Sequence, residues 1–556
     1  MKLLLLFIFL YFGYIQSDSI PSSSSSAASD QQQSKKDESI FGKISKTVEY
    51  DYIILGAGTS GSVVANKLSA NKLNRVLLVE EGKYPQHPLI WEPNGWSDNW
   101  IFNYQPDYAK SFFSTPRSNT HNRSIELRRG VGLGGCGMIN AMIFQVGVKE
   151  DYDLWVEHCG GDMEWDFDTS IKPLVDSELF NKAFNVRVND KDRVFLPEMK
   201  QVLQDVGYTY GEEIDTRIGL FLDRRFAQSF DNRTGHWKRQ TSYGQFVDNI
   251  IADRSNLDVY EGTKALKLDV EVDKKKAMVE AKGVYLLDKT THRIIYAKVR
   301  KQIVISMGAY DSPLFLQFSG IGDWESLRRA GIKPVLHSPY VGASVSDQYS
   351  HIPPSAFLHD VAADGYVIYG PKPEDNNGSQ KIKWILNPDI RPFMGGNRFI
   401  CFVELVYPQS SGSIQIENAT TTSFTVPLVD KNYLSSQQDI NVIQDGLKAC
   451  RMIESKLLER GYLQGDEFLP GFAVQSLEDL EKHIRATSLT DYHPHGSVRM
   501  GSDVTSPLSP RLKLKGSKNI NVIDASVIPV TPSSNTNIPS VIIALKGSSF
   551  ILQEDE

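Results

Sequence analysis

Three glycines between two apolar runs constrain the fold of this chain more than any other feature of its sequence. Gly56, Gly58 and Gly61 form the pattern G-x-G-x-x-G directly after the apolar run at residues 52–55, and a second apolar run covers residues 75–79. The apolar residues between them have helical spacing, namely Val63, Val64 and Leu68. We therefore predict a strand, a tight turn, a helix and a second strand, in which the glycines let a pyrophosphate approach the backbone.

The residues at the ends of this unit favour a dinucleotide over a glycine turn that binds nothing. Thr59 and Ser60 lie where the first free N–H groups and the positive end of the helix would meet the pyrophosphate. Glu80 closes the second strand, 24 positions after Gly56, where a carboxylate can accept hydrogen bonds from both ribose hydroxyls. An acid at this position favours an unphosphorylated ribose, and hence FAD or NAD over NADP.

Four further segments follow in order. They are RRGVGLGGCGMINAMIFQVG at 128–147, VISMGAYDSPLFLQFSGIG at 304–322, DYHPHGSVRMG at 491–501 and NINVIDASVIPVTPSSNTNIPSVIIALK at 519–546. Together with the dinucleotide unit they resemble the glucose–methanol–choline (GMC) oxidoreductase family from about residue 50 to the C-terminus. The resemblance implies an α/β fold, α+β overall, with a Rossmann-like FAD-binding domain and a discontinuous substrate domain built on an antiparallel sheet.

The expected domains follow from where these motifs lie. The FAD-binding domain should combine residues 46–175, 240–350 and 485–556, and the substrate-binding domain residues 176–239 and 351–484. Within the latter, residues 439–463 carry Ile443, Leu447, Ile453 and Leu457 at helical spacing, which predicts a structural helix. No family motif reaches the substrate domain, so its pocket residues and the identity of the substrate stay open.

Two residues carry the chemistry that the resemblance implies. His493 matches the catalytic histidine of the family pattern HPxGT, and Asn535 matches the second catalytic position, which is His or Asn among relatives. A neutral imidazole can take the proton of an alcohol hydroxyl near neutral pH while a hydride leaves the carbon for flavin N5. Asn535 can hold the substrate oxygen. His495 is the alternative base, because residues two apart in an extended segment face similarly.

The resemblance also implies which residues contact FAD. The glycine-rich segment would lie along the flavin, since a Cβ there would collide with the cofactor, and a helix beginning near Pro539 would direct its positive end at the flavin pyrimidine ring. The remaining expected contacts are Val131, Gly134, Gly135, Asn140, Ala141, Met142, Ile143, Ala265, Asp524, Ala525, Asn537 and Ile538. Some relatives attach FAD through a histidine just before the Asn140 position; Ile139 stands there instead, so we predict noncovalent FAD.

Several positions depart from the common family spellings. Ser497 and Ser540 replace threonines and should keep their hydrogen-bonding capacity, and Gln348 replaces a histidine. Cys136 interrupts the glycines: a redox neighbour of the flavin is one interpretation, and a small buried apolar residue is the favoured one. Cys401 lies two positions from where a light-driven decarboxylase branch of the family would have its special cysteine, which argues against that activity.

These features predict an FAD-dependent alcohol oxidase or dehydrogenase that acts on a CH–OH donor. A hydroxynitrile lyase-type enzyme that keeps FAD without net redox is the alternative, because residues 337–348 also resemble that plant branch. A flavin-binding protein without turnover is a third reading, opposed by the presence of both His493 and Asn535. The electron acceptor could be O2 or a quinone- or dye-like compound. The net charge of −7 and the absence of a basic stripe argue against a nucleic-acid partner.

The N-terminus predicts secretion. One lysine precedes thirteen apolar residues at 3–15, too few to span a bilayer, so a signal peptide at residues 1–17 and no stable membrane anchor are expected. The Ser- and Gln-rich residues 18–45 should form a disordered spacer. Four cysteines, Cys136, Cys159, Cys401 and Cys450, allow zero to two disulfides, and no spacing predicts a metal site. Glycosylation sequons occur at Asn122, Asn232, Asn377 and Asn418.

Overall fold

A seven-stranded sheet organises one half of the described structure. The computed structural model describes residues 44–92, 107–177, 180, 184, 186–188, 196–211, 220–223, 225–231, 236–273, 275–276, 278–351, 354–357, 366–372, 381–393, 396–419, 427–467 and 469–555. The strands of this sheet lie in the order Leu257–Tyr260, Val76–Val79, Ile44–Leu55, Arg293–Ile305, Met278–Asp288 and Thr263–Asp273, with Ile520–Val522 also paired to Arg293–Ile305. The four pairings among Leu257–Tyr260, Val76–Val79, Ile44–Leu55, Arg293–Ile305 and Ile520–Val522 are parallel. Met278–Asp288 pairs antiparallel with both of its neighbours, Arg293–Ile305 and Thr263–Asp273.

The predicted strand, turn, helix and strand are confirmed. The first strand, Ile44–Leu55, runs through the glycine turn into the helix Thr59–Leu68 and returns as the strand Val76–Val79. The strand begins earlier than expected, within the stretch predicted as a spacer. Its first residues are exposed and pair with Arg293–Ile305, so that pairing, which apolar patterning does not reveal, extends the strand. Residues 1–43, with the predicted signal peptide, lie outside the described part of the chain.

The C-terminal motif packs on this unit. The strand Ile520–Val522 ends before Asp524, slightly earlier than predicted, and the predicted helix spans Asn537–Asp555 with Pro539 in its first turn. Ile538, Val541, Ile542, Ile543 and Ala544 are fully buried, and Ser60 Oγ donates to the Ser540 carbonyl over 3.0 Å. The first turns of this helix are buried on all sides, which is typical of a helix in a protein core. The two ends of the sequence therefore form one core.

A second, largely antiparallel sheet has nine strands within the described residues. Its order is Leu463–Glu467, Pro354–Phe357, Gly396–Leu405, Trp384–Phe393, Tyr366–Gly370, Leu220–Asp223 and Thr209–Tyr210, with Tyr349–His351 pairing both Gly396–Leu405 and Leu489–Thr490. Only the Thr209–Tyr210 pairing is parallel. Two of these strands, Tyr349–His351 and Leu489–Thr490, reach into stretches predicted for the FAD-binding domain. The division of the chain into domains stays a prediction.

Helices and short strand pairs cover the two sheets. The helix predicted in residues 439–463 is confirmed. It spans Gln437–Glu459, and all four of its predicted apolar positions are buried. The other α-helices are Pro88–Trp91, Lys149–His158, Lys172–Val175, Leu196–Asp205, Gly308–Phe318, Trp324–Arg329 and Leu477–Thr487. The remaining strands are Ala109–Phe113 with Glu126–Gly130, Ile321–Gly322 with Leu336–His337, Ser413–Gln415 with Leu428–Asp430, and Val186–Val188, Arg225–Asp231 and His236–Arg239 in one group.

One disulfide ties the second sheet to its helix. Cys401 in the strand Gly396–Leu405 is bonded to Cys450 in the helix Gln437–Glu459, while Cys136 and Cys159 are free. Of the predicted sequons, Asn122 and Asn418 are described, and Asn232 and Asn377 lie outside the described ranges. None of the helices in the described ranges is long and apolar enough to cross a membrane. The predicted fold class is confirmed.

Candidate functional site

The glycine turn is held by close backbone contacts. Gly56 has a φ of +100°, and a Cβ there would lie 2.3 Å from the Ser306 carbonyl oxygen; a Cβ at Gly61 would lie 1.9 Å from the Gly56 oxygen. No side chain could occupy either position without moving the backbone. The helix Thr59–Leu68 starts from Gly58 with no side-chain cap and no acidic residue in its first turn. Its amino end is therefore suited to a phosphate group.

Glu80 holds three backbone segments together at the end of its strand. Its Oε1 accepts the N–H groups of Gly82 and Gly132, each over 3.0 Å, and its Oε2 accepts that of Ala57 over 2.9 Å. Burial raises the pKa of this carboxyl, and the hydrogen bonds oppose that rise. Because each oxygen has two lone pairs, Oε2 keeps an acceptor position for a ribose hydroxyl. Thr263 donates its N–H to the Glu80 carbonyl, which places the nearby Ala265 at this end of the sheet.

The glycine-rich segment packs directly on the dinucleotide turn. A Cβ at Gly135 would lie 2.8 Å from the Gly58 Cα, and one at Gly130 would lie 2.2 Å from the Gly135 oxygen. Neighbouring backbone therefore excludes a side chain at both positions by itself, and the expected contact of these glycines with the cofactor stays a prediction. Gly134, with a φ of +120°, donates its N–H to the Ala57 carbonyl.

Cys136 corrects a second expectation. The favoured interpretation as a buried apolar residue is wrong, because the 3-10 turn Gly135–Met138 buries its other three residues and leaves Cys136 exposed. The sulfur accepts the Gly130 N–H at 3.4 Å. The thiol therefore lies at the surface of the segment that meets the dinucleotide turn.

A buried arginine fixes the stretch after the glycines. Arg239 Nη1 donates to the backbone oxygen and to Oδ1 of Asn140 over 2.6 and 2.7 Å, and Arg239 Nε donates to the Ile90 carbonyl over 2.7 Å. Asn140 Oδ1 also accepts the Met142 N–H, and Met142 has a φ of +59°. Burial lowers the pKa of Arg239 to about 9. Ala141 and Ile143 are half-buried on either side of Met142. The backbone N–H of Val131 donates to the Tyr108 carbonyl.

Asp524 links the C-terminal motif to the helix Gly308–Phe318. Its Oδ2 accepts the Gly308 N–H over 2.8 Å and the Ser312 hydroxyl, and its Oδ1 accepts the Ser526 N–H at the 3-10 turn Ala525–Val527. Burial raises the pKa of the Asp524 carboxyl. Asn537 begins the last helix, where its Oδ1 accepts the Thr59 hydroxyl over 2.9 Å. The amino ends of the first and last helices therefore meet, with Ile538 and Pro539 in the same turn.

The two predicted catalytic residues face each other. Asn535 Nδ2 lies 3.0 Å from His493 Nε2. Since the amide nitrogen donates, Nε2 accepts, and the neutral ring then carries its proton on Nδ1. His493 is 8% exposed, and the backbone N–H of Asn535 donates to Gln145 Oε1. The pair therefore consists of a buried imidazole and a half-buried amide.

His495 is held on both nitrogens. Its Nδ1 lies 2.9 Å from the His493 carbonyl oxygen and its Nε2 lies 2.8 Å from the Thr531 hydroxyl. Burial lowers the pKa of His495 to about 4, so the ring is neutral at physiological pH. With both nitrogens engaged inside the protein, His495 supports the loop while His493 presents its ring to the site.

A buried ion pair lies beneath the loop that carries His493. Asp347 Oδ1 accepts the backbone N–H of His493 over 3.0 Å, and Asp347 Oδ2 lies 3.4 Å from Lys431 Nζ, with both side chains essentially fully buried. The Thr490 hydroxyl donates to the same oxygen over 2.8 Å, as does the hydroxyl of Tyr433. Burial lowers the pKa of Lys431, and Asp347 opposes the effect. These contacts fix the backbone position of His493.

The substitutions in the family motifs keep their polar contacts. Ser497 Oγ donates to the Ala309 carbonyl and Ser540 Oγ to the Thr536 carbonyl, each over 2.7 Å, which confirms that the hydroxyls remain bonded. Gln348 Nε2 donates to the Pro532 carbonyl over 3.1 Å. The stretch 531–535 is thereby tied to the segment at residues 346–348.

Sequence reasoning missed several residues of the site. Asp151 accepts the N–H and hydroxyl of Ser533, two residues before Asn535, and burial raises its pKa to about 6. Gln145 lies within the motif at residues 128–147, where nothing in the pattern indicated its contact with Asn535, and Arg239 falls in a stretch without a recognised pattern. Asp347 lies within residues 337–348, whose resemblance to the plant branch is evident from sequence, but its contact with the His493 backbone depends on tertiary packing. Within the described part of the chain, no group of three His, Cys, Asp or Glu residues could hold a metal ion.

Comparison with known proteins agrees with this arrangement. The GMC oxidoreductase family profiles match residues 50–350 and 408–544. An alcohol dehydrogenase [acceptor] from Pseudomonas putida is 29% identical over 548 residues, covering 91% of this chain and 96% of that protein. Pyridoxine 4-oxidase from Mesorbium loti superposes with a TM-score of 0.78 at 22% identity, covering 91% and 99% of the two chains. A fungal aryl-alcohol oxidase gives 0.76 at 21% identity with the same coverage.

The chain belongs to the GMC oxidoreductase family, and its relatives include an alcohol dehydrogenase and an oxygen-dependent choline dehydrogenase. Membership implies FAD as the cofactor. The residues present fit this group, because the glycine turn leaves the uncapped amino end of the helix Thr59–Leu68 for a pyrophosphate and Glu80 keeps an acceptor for a ribose.

Proposed function

We propose that this protein is an FAD-dependent oxidoreductase that oxidises a CH–OH donor, with His493 as the base. The observation that carries the proposal is the distance of 3.0 Å between His493 Nε2 and Asn535 Nδ2. It sets an acceptor and a donor side by side at one point. An alcohol oxygen is the simplest group that needs both, since a hydroxyl donates one hydrogen bond and accepts others.

The His493–Asn535 pair then acts on the hydroxyl in two ways. The substrate oxygen replaces the direct contact between the two side chains, donating to His493 Nε2 and accepting from Asn535 Nδ2. His493 takes the hydroxyl proton, and the Asn535 amide stabilises the negative charge that develops on the oxygen. The loop contacts at Asp347 and His495 hold the imidazole for this transfer.

FAD, when bound, supplies the hydride acceptor for the hydrogen on the alcohol carbon. The chain would hold it without a covalent bond, since Ile139 stands at the position where some relatives have a linking histidine. The pyrophosphate would lie at Gly58–Gly61, the adenosine ribose at Glu80 and the flavin along Gly134–Ile143, with the C-terminal helix closing the site through Asn537. Apart from the exposed Cys136, the residues of these segments are buried or half-buried in the structure.

Anaerobic reduction tests this proposal. The purified holoenzyme is mixed with a panel of primary, secondary and aromatic alcohols while the oxidised-flavin absorbance is followed at about 450 nm. Bleaching by at least one alcohol supports the oxidoreductase. If no alcohol bleaches the flavin and a cyanohydrin is cleaved instead, the lyase alternative replaces it. Re-oxidation by air, compared with a quinone or dye, then separates an oxidase from a dehydrogenase.

We also propose that the protein is secreted or resides in the lumen of the secretory pathway. The short apolar N-terminus and the disulfide Cys401–Cys450 support this, because disulfides persist in oxidising compartments. Asn122 and Ser124 of one sequon are exposed, in agreement with glycosylation. Expression in a eukaryotic host, with N-terminal sequencing and glycosidase treatment, tests it. An intact N-terminus on protein retained in the cytosol would contradict it.

A further inference from the structure

A carboxylate lies next to the ring nitrogen of His493 that does not face Asn535. His493 Nδ1 is 3.2 Å from Asp491 Oδ2, and the two side chains are 10% and 18% exposed. Both atoms are buried, and neither makes a hydrogen bond of good geometry to any group in the part of the chain that the structure describes. Buried polar atoms are rarely left unpaired, because desolvation without a partner costs free energy. At 3.2 Å, a small rotation of the ring or of the carboxyl makes each atom the partner of the other.

We propose that Asp491 is the positioning residue of His493. The Asp491 carboxylate accepts the Nδ1 proton and so fixes the tautomer in which the Nε2 lone pair faces Asn535 and the substrate. It also stabilises the imidazolium that forms when Nε2 takes the hydroxyl proton. This inference rests on the proposed function, and it assigns to Asp491 a role that neither the sequence motifs nor the family match provides.

The other charged groups near the loop are already engaged. Asp347 contacts the backbone of His493 and is paired with Lys431, Tyr433 and Thr490. His495 is neutral, with both nitrogens engaged inside the protein. Arg128 and Glu126, which act on the neighbouring Tyr492, are paired with each other over 2.8 Å. Asp491 is thus the carboxylate that faces the His493 ring.

The proton balance is simple. The O–H bond of the alcohol breaks and an N–H bond forms at His493 Nε2, while the Nδ1 proton stays on the ring and keeps its hydrogen bond to Asp491. No proton moves to Asp491. The carboxylate therefore acts by its charge and its orientation of the ring, and the substrate never touches it.

The first measurement does not depend on turnover. The tautomer of the His493 imidazole is determined by ¹⁵N NMR in histidine-labelled holoenzyme, with the signals assigned from the spectrum of His493→Gln. Asp491→Asn should lower the share of the tautomer that carries its proton on Nδ1, because it removes the carboxylate that faces this nitrogen. Asp445→Asn, the same change at an exposed aspartate of the helix Gln437–Glu459, should leave the tautomer unchanged. An unchanged tautomer in Asp491→Asn overturns the inference.

The second measurement is the rate of flavin reduction across pH. Asp491→Asn should reduce the rate at pH 7 by at least about tenfold and move the acid limb of the profile, while the dissociation constant of the alcohol changes little. A rate loss without a moved acid limb would mean a purely structural role and contradict the proposal. If Asp491→Asn does not fold with FAD, Asp491→Ser carries the same prediction.

The two measurements separate the possible failures. If the wild-type protein is not reduced by any alcohol, the proposed function fails, and the NMR measurement of the tautomer still decides whether Asp491 acts on His493. If the wild type is reduced and Asp491→Asn matches it in both measurements, the function stands and the role of Asp491 is wrong.

Discussion

The Thr59 hydroxyl donates to Asn537 Oδ1 over 2.9 Å, although 478 positions separate the two residues in the sequence. Thr59 begins the helix after the glycine turn, and Asn537 begins the last helix of the chain. The contact joins the part of the site that would hold the pyrophosphate to the part that would meet the flavin. The cofactor site therefore exists only when the two ends of the sequence fold together.

Removal of this contact should weaken FAD binding. Thr59→Ala leaves the Asn537 amide without its partner, and a lost hydrogen bond of this kind costs about 1 kcal/mol, or roughly a fivefold increase in the FAD dissociation constant. Titration of the apoprotein by flavin fluorescence measures it. Thr291→Ala, at an exposed turn, serves as the control. An unchanged FAD affinity in Thr59→Ala would show that the contact does not support the site.

Two glycines with positive φ should respond differently to the same substitution. Gly135→Ala places a Cβ 2.8 Å from the Gly58 Cα, whereas Gly161→Ala meets no atom within 4 Å. In both variants an alanine with positive φ lowers the free energy of unfolding by about 1 kcal/mol. In Gly135→Ala the close contact with backbone lowers it by about 1–3 kcal/mol more. Thermal denaturation with FAD release as a second readout should rank Gly135→Ala well below Gly161→Ala. Equal losses would contradict the backbone contact.

The disulfide should contribute to stability without affecting the chemistry. Cys401 and Cys450 are separated by 49 positions, and closing a loop of this length is worth about 2–4 kcal/mol. Cys450→Ser should therefore unfold at lower denaturant concentration than the wild type. Cys136→Ser, at the exposed free thiol, should not. If mild reductant leaves the wild-type midpoint unchanged while the bond is shown to be broken, the stabilising role is refuted.

His495 should make the protein less stable in acid. The pKa of His495 is lowered from 6.5 to about 4 by burial, so between these pH values the unfolded chain binds the extra proton. Stability from this group is complete above pH 6.5 and is lost as the pH falls through about 4, by about 3 kcal/mol in total. His351 and His483, lowered to about 3 and 4, add to the loss.

Replacement of His495 tests this directly. His495→Gln should unfold with a shallower pH dependence between 6.5 and 4 than the wild type, whatever its absolute stability. His337→Gln, at an exposed histidine, should keep the wild-type slope. An identical slope in His495→Gln would mean that His495 does not stay neutral in the fold.

Local patterns predicted the parts of this structure that depend on neighbouring residues. Glycine spacing and apolar periodicity indicated the strand, turn and helix at Gly56–Gly61, and the family motifs indicated His493 and Asn535. Long-range contacts carried no such signal. The start of the first strand at Ile44 depends on pairing with Arg293–Ile305, and the exposure of Cys136 depends on the turn around it.

The Asp491–His493 contact shows the same limit within the site. Asp491 and His493 are two positions apart, and both lie in the motif at residues 491–501. Their contact depends on the backbone position of His493, which Asp347 and His495 fix, and on the contact of its ring with Asn535. Sequence spacing alone did not choose between His493 and His495, whereas the hydrogen bonds on both nitrogens of His495 assign it to the supporting loop.

Flavin reduction in three variants decides whether His493 takes the proton of an alcohol. Anaerobic stopped-flow reduction of bound flavin by an alcohol is compared in the wild type, His493→Gln and His495→Gln, each with confirmed FAD content. We expect His493→Gln to reduce flavin about 10²–10⁴-fold more slowly and His495→Gln to keep a much larger share of the rate. A wild-type rate in His493→Gln, or a loss confined to His495→Gln, would contradict it.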